Sequence, residues 1–285
     1  MRRWQDPSSA LGEVMAHPRF AEAARTLARG MLALSARDRA LDSLFKDAGR
    51  YVAAMCAFHL DADGELTLPR LKAVCAGSGL LSPGRARSLL HILEHLGYVE
   101  PLARGRGGTA TAYAATPAFA AGWEAQFRVA LEAARVIEPA LAEVLDRLHD
   151  PQTLNALVRV HTRGLMTSSG DGGAVLPFIA GFLHHHAGSQ VVWVLIETAE
   201  DGAFPPQRSG PIALAALARR FGVSRIHLKR IFADGERLAL SQLAPDGFVT
   251  LTPEAQQQLA ALYGVQLAQL LSAAARAVHD EAIAA

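Results

Sequence analysis

Five cations lie close together in LAALARRFGVSRIHLKRIF, from Leu214 to Phe232. This stretch holds Arg219, Arg220, Arg225, Lys229 and Arg230 and no acidic residue. Leu217, Ala218, Val223, Leu228 and Ile231 recur among them at helical spacing, and Phe221-Gly222-Val223 interrupts the run. Cations at this density do not make a nucleophile or a proton relay. They displace the counterions condensed on a phosphate backbone and gain affinity from the release. Arginine can also bond O6 and N7 of guanine together. The chemistry on offer is recognition of a polyanion.

A second region shares the charge pattern. Leu66 to Ile92 carries Arg70, Lys72, Arg85 and Arg87 without an Asp or Glu, and Gly202 to Ala233 adds Arg208 to the five cations above, again without one. The chain has 27 Asp and Glu in 285 residues, so their absence from both windows sets these regions apart. Net charge is only +1, so attraction to an anion must be local.

The elements that position these cations follow from periodicity and punctuation. Residues 1–18 read as irregular. Helices are expected over Arg19–Ala36 and Leu41–Leu60, then a short one from Pro69 to Gly77. Ser82-Pro83 is a hydroxyl cap followed by proline in the first helical turn. The helix it starts ends near His95 and is closed by Gly97. Tyr98–Leu102 and TATAYAAT (109–116) read as strands around the loop RGRGG (104–108), and Pro117 opens a long helix over 118–149. In the second half, Leu214–Arg220 is a helix, Ser224 caps the next, and Asp234-Gly235 is expected to turn the chain. RLALSQL (237–243) and FVTLT (248–252) read as strands around APDG (244–247), and Pro253 opens a final long helix.

The order of elements repeats. Ser82 corresponds to Ser224, and Thr116-Pro117 to Thr252-Pro253. The expected fold is mainly α with small β wings. Two winged helix-turn-helix units, residues 1–150 and 151–285, pack through the long helices 118–149 and 254–284 as a pseudo-dimer within one chain. The boundary is expected near Asp150-Pro151 or in SSGDGGA (168–174).

In such a unit the start of the second helix enters the major groove. That puts Ser224, Arg225, His227, Lys229 and Arg230 forward as base-reading residues, with Arg219 and Arg220 on phosphate. In the first half the matching residues are Ser82, Arg85, Arg87 and Ser88. Arg104 and Arg106 sit at the wing tip among glycines that allow close approach to the backbone.

This arrangement resembles the MarR-type winged-helix regulators, which have an N-terminal helix, a helix-turn-helix, a wing and long dimerising helices. FVTLTPEAQQQLAAL (248–262) is similar to that family's strand, Leu-Thr pair and helix. The likeness applies to each half separately, whereas family members usually hold one unit per chain. The family's wing carries an Asp and an Arg at fixed spacing. APDG lacks the arginine and RGRGG the aspartate, so the second wing is expected to hold DNA weakly. The resemblance implies a sequence-specific regulator of transcription that binds double-stranded DNA. Its two recognition helices differ, would meet successive major grooves, and need no palindromic site. The alternative is a winged-helix adaptor that binds protein, for example in chromosome organisation.

Other chemistries find little support in the sequence. No P-loop, dinucleotide fingerprint or nucleophile elbow is present, so no catalysis is expected. Cys56 and Cys75 are too few for a disulfide framework and wrongly spaced for zinc, and they read as core. His184-His185-His186 would point about 100° apart on a helix, so at most two could share an ion. They read as buried or interfacial, and no metal or cofactor is expected. The N-terminus does not read as a signal peptide, so none is expected, and the apolar run Val191–Ile196 is too short to cross a membrane. The expected setting is the bacterial cytoplasm, on the nucleoid, as a monomeric pseudo-dimer or a homodimer. A small-molecule effector is left open as a further partner.

Overall fold

The structure is a computed structural model that describes residues 1, 4, 7–46, 48–77, 83–102, 110–169 and 177–284, the side chains of 7, 8, 77, 83, 165, 167–169 and 278–284 excepted. The chain is mainly helical, with two small antiparallel sheets.

Four helices come first: α1 (Pro7–Ala16), α2 (Phe20–Arg37), α3 (Arg39–Phe45) and α4 (Ala48–Ala62). Residues 7–16 therefore depart from the irregular segment expected there. A proline can open a helix, because its missing N–H has no intrahelical partner at that position. The helix expected over 41–60 is divided between α3 and α4. Asp38 starts α3, accepting from Leu41 N at 2.9 Å.

Next come α5 (Leu68–Gly77), α6 (Pro83–His95), β1 (Val99–Pro101), β2 (Tyr113–Ala115) and α7 (Pro117–Arg135). β1 and β2 pair antiparallel, and Thr67 forms a bridge to Ala112 on the other side of the β2 chain. The expected helix over 118–149 is broken after Arg135. A 3-10 turn at Pro139–Leu141 and α8 (Ala142–Asp146) follow. The break is held by Glu138, whose carboxylate accepts from Ala140 N at 3.4 Å and from the Trp4 indole at 2.8 Å.

The remaining elements are α9 (Pro151–Ser169), a π-helical turn (Ile179–Leu183), α10 (Gly188–Glu197), β3 (Arg208–Ser209), α11 (Leu214–Phe221), α12 (Arg225–Arg237), β4 (Ser241–Leu243), β5 (Val249–Leu251) and α13 (Pro253–Ala284). The second sheet has the order β3-β5-β4, all antiparallel. The expected turn at Asp234-Gly235 does not occur, and α12 runs on to Arg237. Gly235 is needed for contact: a Cβ there would lie 2.5 Å from Ser241 Oγ and 3.0 Å from the Phe182 ring. The chain turns instead at Ala239, at φ 54°.

The buried apolar residues form one cluster from Trp4 to Ala275. In the first half it centres on Trp123, whose ring lies 5.5–6.3 Å from those of Phe45, Tyr51, Phe58, Phe119 and Phe127. Such pairs add about 1 kcal/mol each beyond burial. α2 packs against both α7 and α10, while α1 and α9 pack along α13. Helices from the start of the chain thus lie against helices from its end. α2 and α7 cross closely enough at Gly30 that a Cβ would lie 2.6 Å from Val129 Cγ1. Cys56 and Cys75 are not joined in a disulfide and are buried in this core.

Candidate nucleic-acid interface

α11 and α12 form the corner read from the sequence. Gly222 ends α11 at φ 64°, a left-handed conformation that costs glycine nothing. Ser224 is extended, and its hydroxyl accepts from His227 N at 3.1 Å, capping α12. Leu217, Ala218, Phe221, Leu228, Ile231 and Phe232 are buried between the two helices and the core. With those positions turned inward, Arg225, Lys229 and Arg230 are exposed on α12, and Arg219 and Arg220 at the end of α11. Ile226 stands among them, 64% exposed. None of Arg225, Lys229 and Arg230 forms an ion pair with a described residue.

His227 is placed differently from its neighbours. It is half-buried, and its Nε2 lies 2.5 Å from the His186 carbonyl oxygen. The three consecutive histidines are not helical: they form the turn between the π-helical segment and α10. His184 is exposed, and His185 and His186 are half-buried. His185 Nε2 lies 3.1 Å from Asp234 Oδ2 of α12. Burial holds the His185 imidazole below its usual pKa, although Asp234 pulls the other way.

The same turn borders the first basic region. Arg85 and Ser88 of α6 line a cleft of about 380 Å³, with Arg50 of α4 beside them and His184 and His186 on the facing wall. Arg85, Arg87 and Ser88 are exposed, whereas Ala86, Leu89 and Leu90 are buried. Ser88 donates from its hydroxyl to the Gly84 carbonyl at 3.2 Å, within its own helix. α6 and α12 therefore flank one three-residue turn, and among the described residues no acid lines the cleft. Ser82, Arg104 and Arg106 lie outside the described residues.

The second hairpin carries little free charge. Arg208 of β3 stacks 3.8 Å from the Phe248 ring centre and pairs with Glu200 at 2.7 Å and with Asp246 at 3.6 Å. Asp246 Oδ1 also accepts from Phe248 N at 3.1 Å, closing the turn. A hairpin whose nearest cation already serves two carboxylates is a poor phosphate contact.

Sequence reasoning missed Arg50, His184 and His186. The histidines were visible as a run, but only the tertiary turn brings them opposite α6. Arg50 lies upstream of the acid-free windows, and no local pattern marks it.

Among the described residues, no three His, Cys, Asp or Glu side chains are grouped to hold a metal ion, and no helix is long and apolar enough to cross a membrane. No protein-family model matches the chain, and no curated protein or solved structure matches it either.

Proposed function

We propose that this chain is a sequence-specific double-stranded DNA-binding regulator of transcription, built from two winged helix-turn-helix units of the MarR-like kind. The observation that carries the reading is the pairing of α6 and α12. Each is the second helix of a helix pair and buries its apolar side, α6 exposes Arg85 and Arg87 and α12 exposes Arg225, Lys229 and Arg230, and both border the turn at His184–His186. The element order supports it too. From α4 to α7 the order is helix, a single bridge at Thr67, two helices, two strands and a long helix, and from α10 to α13 it is the same with β3 in place of the bridge.

In this reading Arg225 and Lys229, one turn apart on α12, reach base edges, and Ile226 offers an apolar contact to a thymine methyl. Arg219, Arg220, Arg230 and Arg87 hold phosphate. His227 sets the position of α12 against the histidine turn rather than reading bases. Because one turn borders both helices, they act as a continuous basic face. The footprint is then a single contiguous stretch, without symmetry, instead of two half-sites one helical turn apart.

The test is retention of fragmented genomic DNA by the purified protein at two salt concentrations, beside the triple variant Arg225→Ala, Lys229→Ala, Arg230→Ala. Enriched sequences lost in the variant support a regulator. Retention without enrichment, removed by salt, means nonspecific binding. Absence of binding at low salt favours the adaptor reading. Ile226 gives that second reading its foothold, since a large apolar side chain 64% exposed on a basic helix also suits a protein partner.

A further inference from the structure

The cleft between α6 and the histidine turn has a chemistry of its own. Arg50 of α4, Arg85 of α6, and His184 and His186 of the turn reach it from three elements. Leu89 and Ile92 of α6 give it an apolar side. At about 380 Å³ it falls within the range that small organic ligands fill, about 300–1,000 Å³. α4 and α6 belong to the first half of the chain and the turn to the second, so the cleft exists only in the assembled fold.

Both walls are held in place. Arg50 is half-buried, and its Nη1 donates to the Ser43 carbonyl at 3.2 Å. A guanidinium carries five N–H donors in a planar fork, so a bond of this kind orients the side chain without exhausting it. The histidine turn is fixed by its backbone. Ala187 is left-handed at φ 67°, and at Gly188 an added Cβ would run into the Phe182 carbonyl oxygen. The His186 carbonyl oxygen lies 2.5 Å from His227 Nε2 of α12, which ties the turn to the second helix pair. Arg50 and Arg85 are the Lys, Arg, Asp or Glu side chains that line the cleft among the described residues. A cleft with charge of one sign concentrates the opposite ion. An imidazole donates one N–H when neutral and two when protonated, so His184 and His186 are able to bond an oxyanion in either state.

We propose that this cleft binds a small phosphate monoester, its phosphate bonded by Arg50, Arg85 and the histidine turn and its organic part against Leu89 and Ile92. The arginines set the charge: their two guanidiniums match a dianion, and the planar fork suits phosphate oxygens in pairs. A monoester carries close to two negative charges above its second pKa, about 6, whereas a backbone phosphate of DNA is a diester with one. The volume and the apolar side call for more than inorganic phosphate, which would leave Leu89 and Ile92 uncovered. The inference does not rest on the DNA reading, and its test contains no DNA.

The probes are n-butyl phosphate, inorganic phosphate, n-butanol and dimethyl phosphate, which separate the monoester from free phosphate, from the organic part alone and from a backbone-like diester. Binding to the full chain is measured by calorimetry at about pH 7.5, where a monoester is mostly a dianion. n-Butyl phosphate is expected to bind about ten-fold more tightly than inorganic or dimethyl phosphate, and n-butanol not to bind. Arg50→Gln and Arg85→Gln should each weaken n-butyl phosphate by about ten-fold or more. Arg135→Gln is the control: Arg135 is exposed on α7, pairs with Glu132 at 2.7 Å and does not line the cleft, so its loss should leave binding as in the wild type. The proposal is overturned if n-butyl phosphate does not bind, if any other probe matches it, if neither cleft variant weakens it, or if Arg135→Gln weakens it as much as they do. Arg85 is exposed, so Arg85→Gln decides the matter even if Arg50→Gln does not fold.

Discussion

The ammonium of Lys46, just after α3, donates to the Phe221 carbonyl at the end of α11, 2.9 Å away and 175 residues along the chain. Lys46 also lies 3.4 Å from Asp42, and both side chains are nearly buried. Asp42 in turn accepts from Ser35 of α2 and from Gln190 of α10. One polar chain thus runs from α10 through α2 and α3 to the C-terminus of α11, where a cation suits the exposed carbonyls and the helix dipole. It sets the second helix pair at a fixed position against the first half.

Removing the ammonium therefore strands a buried carboxylate. Lys46→Met is expected to destabilise the protein by about 3 kcal/mol. The double variant Asp42→Asn, Lys46→Met should recover part of that loss, because no charge is then left unpaired. Urea unfolding of the wild type, of the single variants Asp42→Asn and Lys46→Met and of the double variant measures the coupling. Equal losses in Lys46→Met and in the double variant would mean that the pair does not act as one unit.

The corner between α11 and α12 makes a local prediction. Gly222→Ala would place a Cβ whose one neighbour within 4 Å among the described residues is Lys46 Nζ, at 3.8 Å, so its cost is conformational. The expected loss is about 1–2 kcal/mol. Ser224→Ala removes the α12 cap and should cost about 1 kcal/mol, whereas Ser224→Asp should be close to neutral. Thermal unfolding of the three variants tests the ranking.

The exposed cations should affect DNA and leave folding alone. Losing Arg225, Lys229 and Arg230 together should change unfolding free energy by less than about 0.5 kcal/mol per site, since none pairs with a described residue. In the same variant the dependence of log affinity on log salt should become shallower by about 1, because Arg230 alone of the three is assigned to phosphate; a change of about 2–3 would mean that all three contact it. Should Arg225 read a base instead, its single replacement would relax sequence preference and leave the slope nearly unchanged. Fluorescence anisotropy across a salt series separates the two.

His161 predicts an acid sensitivity. Burial lowers its pKa from the ordinary 6.5 to about 4. Between those values the unfolded chain binds a proton that the folded chain refuses. Its contribution is therefore complete above about pH 6.5 and falls as the pH drops toward 4, by about 3 kcal/mol in all. His161→Gln should flatten this part of the profile. Stability of both proteins measured at about pH 7.5 and about pH 5 checks it, and parallel profiles would show that His161 is not the group responsible.

Much of the fold could be read from local rules. Ser224 and Gly222 act within one helical turn, so the α11–α12 corner needed no tertiary information. Pro117 and Pro253 start α7 and α13 where a missing N–H costs nothing. Other elements were settled by distant contacts. α12 continues through Asp234-Gly235 because Phe182 and Ser241 pack where a side chain would be. α7 stops where it does with Trp4 bonded to Glu138, across 134 residues.

The order of charges along the chain is a property of the sequence in any fold, and hydrophobic periodicity decides which cations of a helix face outward, although α12 runs past the acid-free stretch to take in Asp234 and Glu236. The tertiary structure decided which surfaces meet. It set the histidine turn opposite α6, joined Lys46 to Phe221, and brought Arg50, Arg85 and His186 around one cleft. Those residues come from separate elements that pack only when the whole chain has folded, and a pairing of that kind leaves no periodic trace along the chain.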